Sequence, residues 1–76
     1  MAYLIYDNLS SKIYYNLKNL SGIVQEKPGK KVLHFGNLKY YIYTKTPIEK
    51  ILEKIDYINN SYEFISDNEF LEHIKE

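Results

Sequence analysis

No cysteine occurs among the 76 residues. That excludes disulfide staples, thiolate nucleophiles and Cys-ligated zinc. Small secreted domains commonly need such staples, so the absence points to a reducing, intracellular and therefore cytoplasmic setting. Arginine is missing too, and all ten basic residues are lysines. Arginine is the usual bidentate reader of carboxylates, phosphates and guanine edges. A chain without it can attract phosphates but lacks the commonest route to base readout. Long apolar runs are also absent. The N-terminal run from Ala2 to Tyr6 is too short for a signal-peptide core, and nothing approaches the roughly 20 apolar residues that span a bilayer. There is no repeat, low-complexity tract or linker, so residues 1–76 read as one domain.

What is present is enough to fold. Hydrophobic residues make up 45% of the chain, which argues against disorder. A chain of this length buries only about 60% of its unfolded surface, so little stability is held in reserve. The abundance of Lys, Tyr, Asn and Ile is the codon bias of an AT-rich genome. Met1 stands directly before a core strand, which suits a complete small reading frame such as a virus or mobile element encodes.

Tyr3-Leu4-Ile5-Tyr6 is apolar on both faces and reads as a strand at the centre of a sheet. Ser10 or Ser11 offers an N-cap, and Ile13, Leu17 and Leu20 fall at i, i+4 and i+7, one face of a helix. Gly22 is expected to close that helix in the left-handed conformation. Ile23-Val24 opens a second strand and Pro28-Gly29 marks a turn. Lys31 to Phe35 and Leu38 to Thr44 form a hairpin around Gly36-Asn37. In the second hairpin strand Leu38, Tyr40 and Ile42 share one face, while Lys39, Tyr41 and Tyr43 share the other.

Thr46-Pro47-Ile48-Glu49 reads as a helix start, with Thr46 as cap and Glu49 completing a capping box. Ile48, Ile51, Leu52, Ile55 and Ile58 supply its apolar stripe, and Asn59-Asn60-Ser61 ends it. Tyr62 to Ile65 reads as a final strand. Ser66 and Glu69 frame a second capping box before a last helix with Phe70, Leu71 and Ile74. The expected order is β-α-β-β(-β)-α-β-α, with two crossover helices and parallel neighbouring strands. This is an α/β chain in the α+β sandwich sense, a small mixed sheet with helices packed on it. The ferredoxin-like split βαβ is one member of that class.

No constellation for catalysis, metal binding or a cofactor is present. The only histidines, His34 and His73, lie far apart without metal-ligand spacing and read as structural or surface residues. Charge is more informative. Net charge is zero, yet residues 26–45 hold Lys27, Lys30, Lys31, Lys39 and Lys45 against Glu26 alone, and residues 46–76 are acidic. With Tyr41 and Tyr43 beside Lys39, the five lysines make a candidate nucleic-acid surface, since alternating aromatic and Lys residues hold single strands. The plainer reading is a solvated hairpin edge whose lysines discourage aggregation, with the tyrosine face packed under a helix. Asp7 lies just past the first strand, at the sheet edge where ligands bind in open α/β folds; the plainer reading is a loop cap.

From Lys50 onward, the succession of helix EKILEKIDYIN, strand YEFIS and terminal helix DNEFLEHI resembles the end of a BRCT domain. Asn68 to Ile74 is similar to that family's acidic run around a core Phe. Asn19-Leu20-Ser21-Gly22-Ile23-Val24 is similar to its Leu-Gly-Gly-x-Val segment. The resemblance implies a non-enzymatic adaptor in DNA repair or replication, with Gly22 at a backbone turn and Phe70 in the core. It also implies Lys50 or Lys54 as the helix lysine near a phosphate pocket, where Asp7 would repel phosphate in place of the family's hydroxyl residue. Asp7, Lys50 and Lys54 are accordingly the candidate partner-binding residues. The reading is a binding module for a protein partner or nucleic acid. Its alternatives are a free-standing nucleic-acid binder using the Lys/Tyr hairpin, and a small regulator whose acidic C-terminal half docks on a basic partner. A homodimer is compatible with each, and a membrane role with none.

Overall fold

Two three-stranded sheets and two helices make up the computed structural model, which describes residues 1–75. The strands are β1 (Tyr3–Asp7), β2 (Lys12–Asn16), β3 (Gly22–Lys27), β4 (Lys30–Phe35), β5 (Leu38–Ile42) and β6 (Phe64–Ser66). The helices are α1 (Ile48–Ser61) and α2 (Asp67–Ile74), and a single 3₁₀ turn covers Leu17–Asn19. The first sheet has the order β2-β1-β6, with β1 antiparallel to β2 and parallel to β6. The second is the antiparallel meander β3-β4-β5. The chain is therefore of mixed α/β class, with β1 at the centre of its sheet as its apolar pattern required.

The segment expected as the first helix is a strand. Ile13, Tyr15 and Leu17 face the core while Lys12, Tyr14 and Lys18 are exposed, an alternation of period two that competes with the i, i+4, i+7 spacing. The β-branched and aromatic content of Lys12-Ile13-Tyr14-Tyr15 favours the extended choice. Its serines are not a helix cap. The Asn8 side-chain oxygen accepts from the N–H groups of Ser10 and Ser11 at 3.0 and 2.9 Å, and this Asx turn closes a hairpin at the pair Asp7–Lys12. The first crossover is thereby removed, and Gly22, at the start of β3, is not in the left-handed region.

The other two hairpins use glycine where the backbone demands it. Gly29 has φ +83° behind Pro28, the arrangement of a type II turn between the paired Lys27 and Lys30. Gly36 has φ +62° at the first position of the two-residue loop between Phe35 and Leu38, as a type II′ turn requires.

Both sheets turn one face to a shared core. Leu4, Tyr15 and Ile65 come from the first sheet, Leu33, Phe35, Tyr40 and Ile42 from the second, and Ile51, Ile55, Ile58, Phe70 and Ile74 from the helices. Leu52 and Leu71, expected on apolar helix faces, are substantially exposed. Ser66 caps α2 as expected, accepting from Glu69 N–H at 3.2 Å. Thr46 does not cap α1: Pro47 occupies that position with no side-chain bond. The Thr46 hydroxyl instead donates to Ile74 O at 2.8 Å, satisfying a carbonyl that the end of α2 leaves open. Its single proton thus used, Thr46 accepts from the Thr44 hydroxyl at 2.8 Å, and Thr44 Oγ1 accepts from Thr46 N–H at 3.1 Å.

Lys31 is the largest departure from expectation. It alternates with Leu33 and Phe35 on β4, points inward and is 2% exposed. Its Nζ donates to Thr44 O at 3.0 Å, so it braces the loop after β5 and cannot contribute to a nucleic-acid surface. Lys31→Glu would bury a carboxylate against that carbonyl and should destabilise the fold by about 3–5 kcal/mol. The total available is only about 4–11 kcal/mol at this length. Lys31→Met, of similar volume, should stay within about 1 kcal/mol of wild type. Urea denaturation of both variants checks this, and equal stability of the glutamate variant would contradict the placement.

Burial also pushes the hydroxyl of Tyr40 well above the ordinary tyrosine value, with Asp67, Tyr15 and Tyr6 adding to it. Burial raises Tyr15 as well, with Tyr6 adding. A tyrosine raised in the native state holds its proton longer folded than unfolded. Its stabilisation is therefore intact below about pH 10 and is lost as pH rises beyond it. Stability should be level through neutral pH and fall steeply above about pH 10, less steeply in Tyr40→Phe. Urea midpoints between pH 8 and 11.5 read this directly.

Candidate nucleic-acid interface

The pleat of β5 creates the candidate surface. With Tyr40 and Ile42 buried, Lys39 and Tyr41 must face outward, and Tyr43 follows just beyond the strand. Tyr41 is 46% exposed and Tyr43 75% exposed, so this face is not covered by a helix. In the same cross-strand row, Val24 pairs with Val32 and Val32 with Tyr41. Val24 is exposed and Val32 buried between its neighbours.

Lys30 leans over this row. Its Nζ lies 5.2 Å from the centre of the Tyr41 ring and 6.0 Å from that of Tyr43, within cation–π range. It also meets Glu26 at 3.0 Å. The hydrogen bond it donates to Glu26 raises the Lys30 ammonium above its ordinary value, against an opposing cost of desolvation. Lys30 is thus shared between Glu26 and the two rings. Lys27, Lys39 and Lys45 are exposed and form no ion pair among the described residues. Of the five lysines expected here, three are open to solvent, Lys30 is shared with Glu26, and Lys31 belongs to the core.

β5 is an outer strand. The Tyr15 hydroxyl donates to Lys39 O at 2.9 Å, which shows that the Lys39 backbone points away from β4. Tyr41, two residues on, presents its N–H and C=O to the same open side. A concavity of about 310 Å³ lies along that edge, walled by Tyr6, Tyr15, Tyr40, Tyr41, Tyr43 and Lys39. The contribution of Tyr6 and Tyr15 was not legible in the sequence, because it depends on how the first sheet meets the second.

The candidate partner residues are not brought together. Asp7 is exposed at the Asn8 turn, beyond Ile5, which pairs with the Ser66 cap at the start of α2. Lys50 and Lys54 border a cavity with Ile74 and Lys75, at the far end of that helix. A pocket combining all three is therefore not formed.

The two histidines lie on different elements, His34 on β4 and His73 on α2. His34 accepts at its carbonyl from the N–H and hydroxyl of Ser21 at 2.7 and 2.9 Å. His73 Nε2 lies 3.1 Å from the Tyr62 hydroxyl, which is also 3.1 Å from Glu69. The bond to Glu69 raises the Tyr62 hydroxyl above its ordinary value. No cluster of three His, Asp or Glu side chains suited to a metal occurs among the described residues. No helix among them is long and apolar enough to cross a membrane. Compared with protein-family models, curated proteins and solved structures, the chain matches none.

Proposed function

We propose that the chain is a non-enzymatic binding module that holds single-stranded nucleic acid against the Tyr41–Tyr43 face. The observation that carries this reading is the exposure of both rings beside Lys30 and Lys39, with Lys45 two residues beyond Tyr43. Bases stack on such platforms, and lysines track the phosphates. The absence of arginine supports binding with little sequence preference, and the absence of cysteine suits a reducing intracellular compartment.

A second reading is favoured by the outer edge of β5, open at Tyr41 though Lys39 O is taken by Tyr15, to which an extended segment of a protein partner could add as a fourth strand. The proposed BRCT-like adaptor role belongs with it. The helix–strand–helix run of 48–74 supports that proposal, while Asn19–Val24 enters β3 from a 3₁₀ turn rather than from a helix.

Fluorescence anisotropy with labelled single- and double-stranded oligonucleotides separates the two. The single strand should bind more tightly. Tyr41→Ala and Tyr43→Ala should each remove about 1–3 kcal/mol of binding. Lys39→Gln and Lys45→Gln should each lower the salt slope by about 0.7. No binding at low salt would end the nucleic-acid reading in favour of the protein partner.

A further inference from the structure

The concavity beside Tyr41 is not isolated. It shares Tyr41 and Tyr43 with a second one of about 240 Å³, whose opposite wall is Leu71, Ile74 and Lys75 at the end of α2. That one shares Ile74 and Lys75 with a third of about 300 Å³, walled also by Thr46, Lys50 and Lys54. The three adjoin in a line that starts at the aromatic edge of β5, passes the end of α2 and reaches α1. Among the described residues no carboxylate lines any of them, although the chain has as many acids as lysines.

Resting on the single-strand reading above, we propose that Lys50, Lys54 and Lys75 form a phosphate-binding pocket that continues the Tyr41–Tyr43 track. Lys50 and Lys54 are one helical turn apart and share a face of α1. Lys75 follows the last residue of α2, which Thr46 holds in place through Ile74 O at 2.8 Å. That bond ties the end of α2 to the segment that enters α1. Lys50 reaches Glu53 at 3.9 Å and Lys75 reaches Glu72 at 3.4 Å. Both pairs are exposed, worth little, and exchangeable for a phosphate. Lys54 has no carboxylate partner among the described residues. The occupant fits by charge: a polyanion with stackable bases matches a groove with tyrosines at one end and three ammonium groups at the other.

Two titrations of the whole chain test this. With inorganic tripolyphosphate and ¹⁵N-labelled protein, saturable shifts should appear at Thr46, Lys50, Lys54 and Lys75. They should vanish in the exposed triple variant Lys50→Gln, Lys54→Gln, Lys75→Gln, whose circular dichroism should be unchanged. Their absence in wild type would overturn the pocket. With a labelled single strand, the triple variant should bind at least tenfold more weakly at low salt, with a salt slope lower by about 2. Equal affinity and slope would overturn the continuation and leave the tyrosine face standing. A wild-type chain that ignores the oligonucleotide would overturn the single-strand reading and this extension with it.

Discussion

The Tyr40 ring lies 5.3 Å from that of Tyr15, 5.8 Å from Phe70 and 6.4 Å from Tyr6. One side chain of β5 thus joins the second sheet to the first sheet and to α2. Such aromatic pairs each add about 0.5–1.5 kcal/mol beyond the area they bury. In a chain of this size that is a sizeable part of the whole. The consequence reaches the surface, because successive strand residues point to opposite faces. With Tyr40 held inward, Lys39 and Tyr41 are obliged to face solvent, and a one-residue slip would exchange the two sets.

The loop after β5 depends on a second constraint. Lys31 Nζ and Thr46 Oγ1 each satisfy a backbone carbonyl, Thr44 O and Ile74 O. These two bonds hold residues 44–46 between the start of β4 and the end of α2. Polar groups are tolerated there because each finds a partner: no buried side-chain nitrogen or oxygen among the described residues is left unsatisfied. The same bonds tie the segment that carries Lys45, and leads into α1, to β4 and to α2.

Much of this was legible in the sequence where one local signal stood alone. The Gly36-Asn37 hairpin, the apolar stripe of α1, the Ser66 cap and the two faces of β5 follow from turn chemistry and periodicity. Where two signals competed, the reading failed. Ile13, Leu17 and Leu20 fit a helix, yet Ile13, Tyr15 and Leu17 fit a strand equally well, and packing of Tyr15 on Phe35 and Tyr40 decided between them. Lys31 was assigned by charge, although the alternation that buries Leu33 and Phe35 already placed it inward. Thr46 had the right spacing for a cap, but the carbonyl of Ile74, distant in sequence, took its hydroxyl. Lys75 gave no local signal of a site; only the fold sets it beside Lys50 and Lys54.

The most direct test of the account is residue-resolved chemical-shift mapping of the ¹⁵N-labelled chain with a short single-stranded oligonucleotide. The account predicts that the perturbed amides run from Lys39 through Lys45 and reach the end of α2, while those of the Asn8 turn and of Tyr57 stay still. Shifts centred on the Asn8 turn, on Phe64 or on Tyr57, or no shifts at low salt, would contradict it.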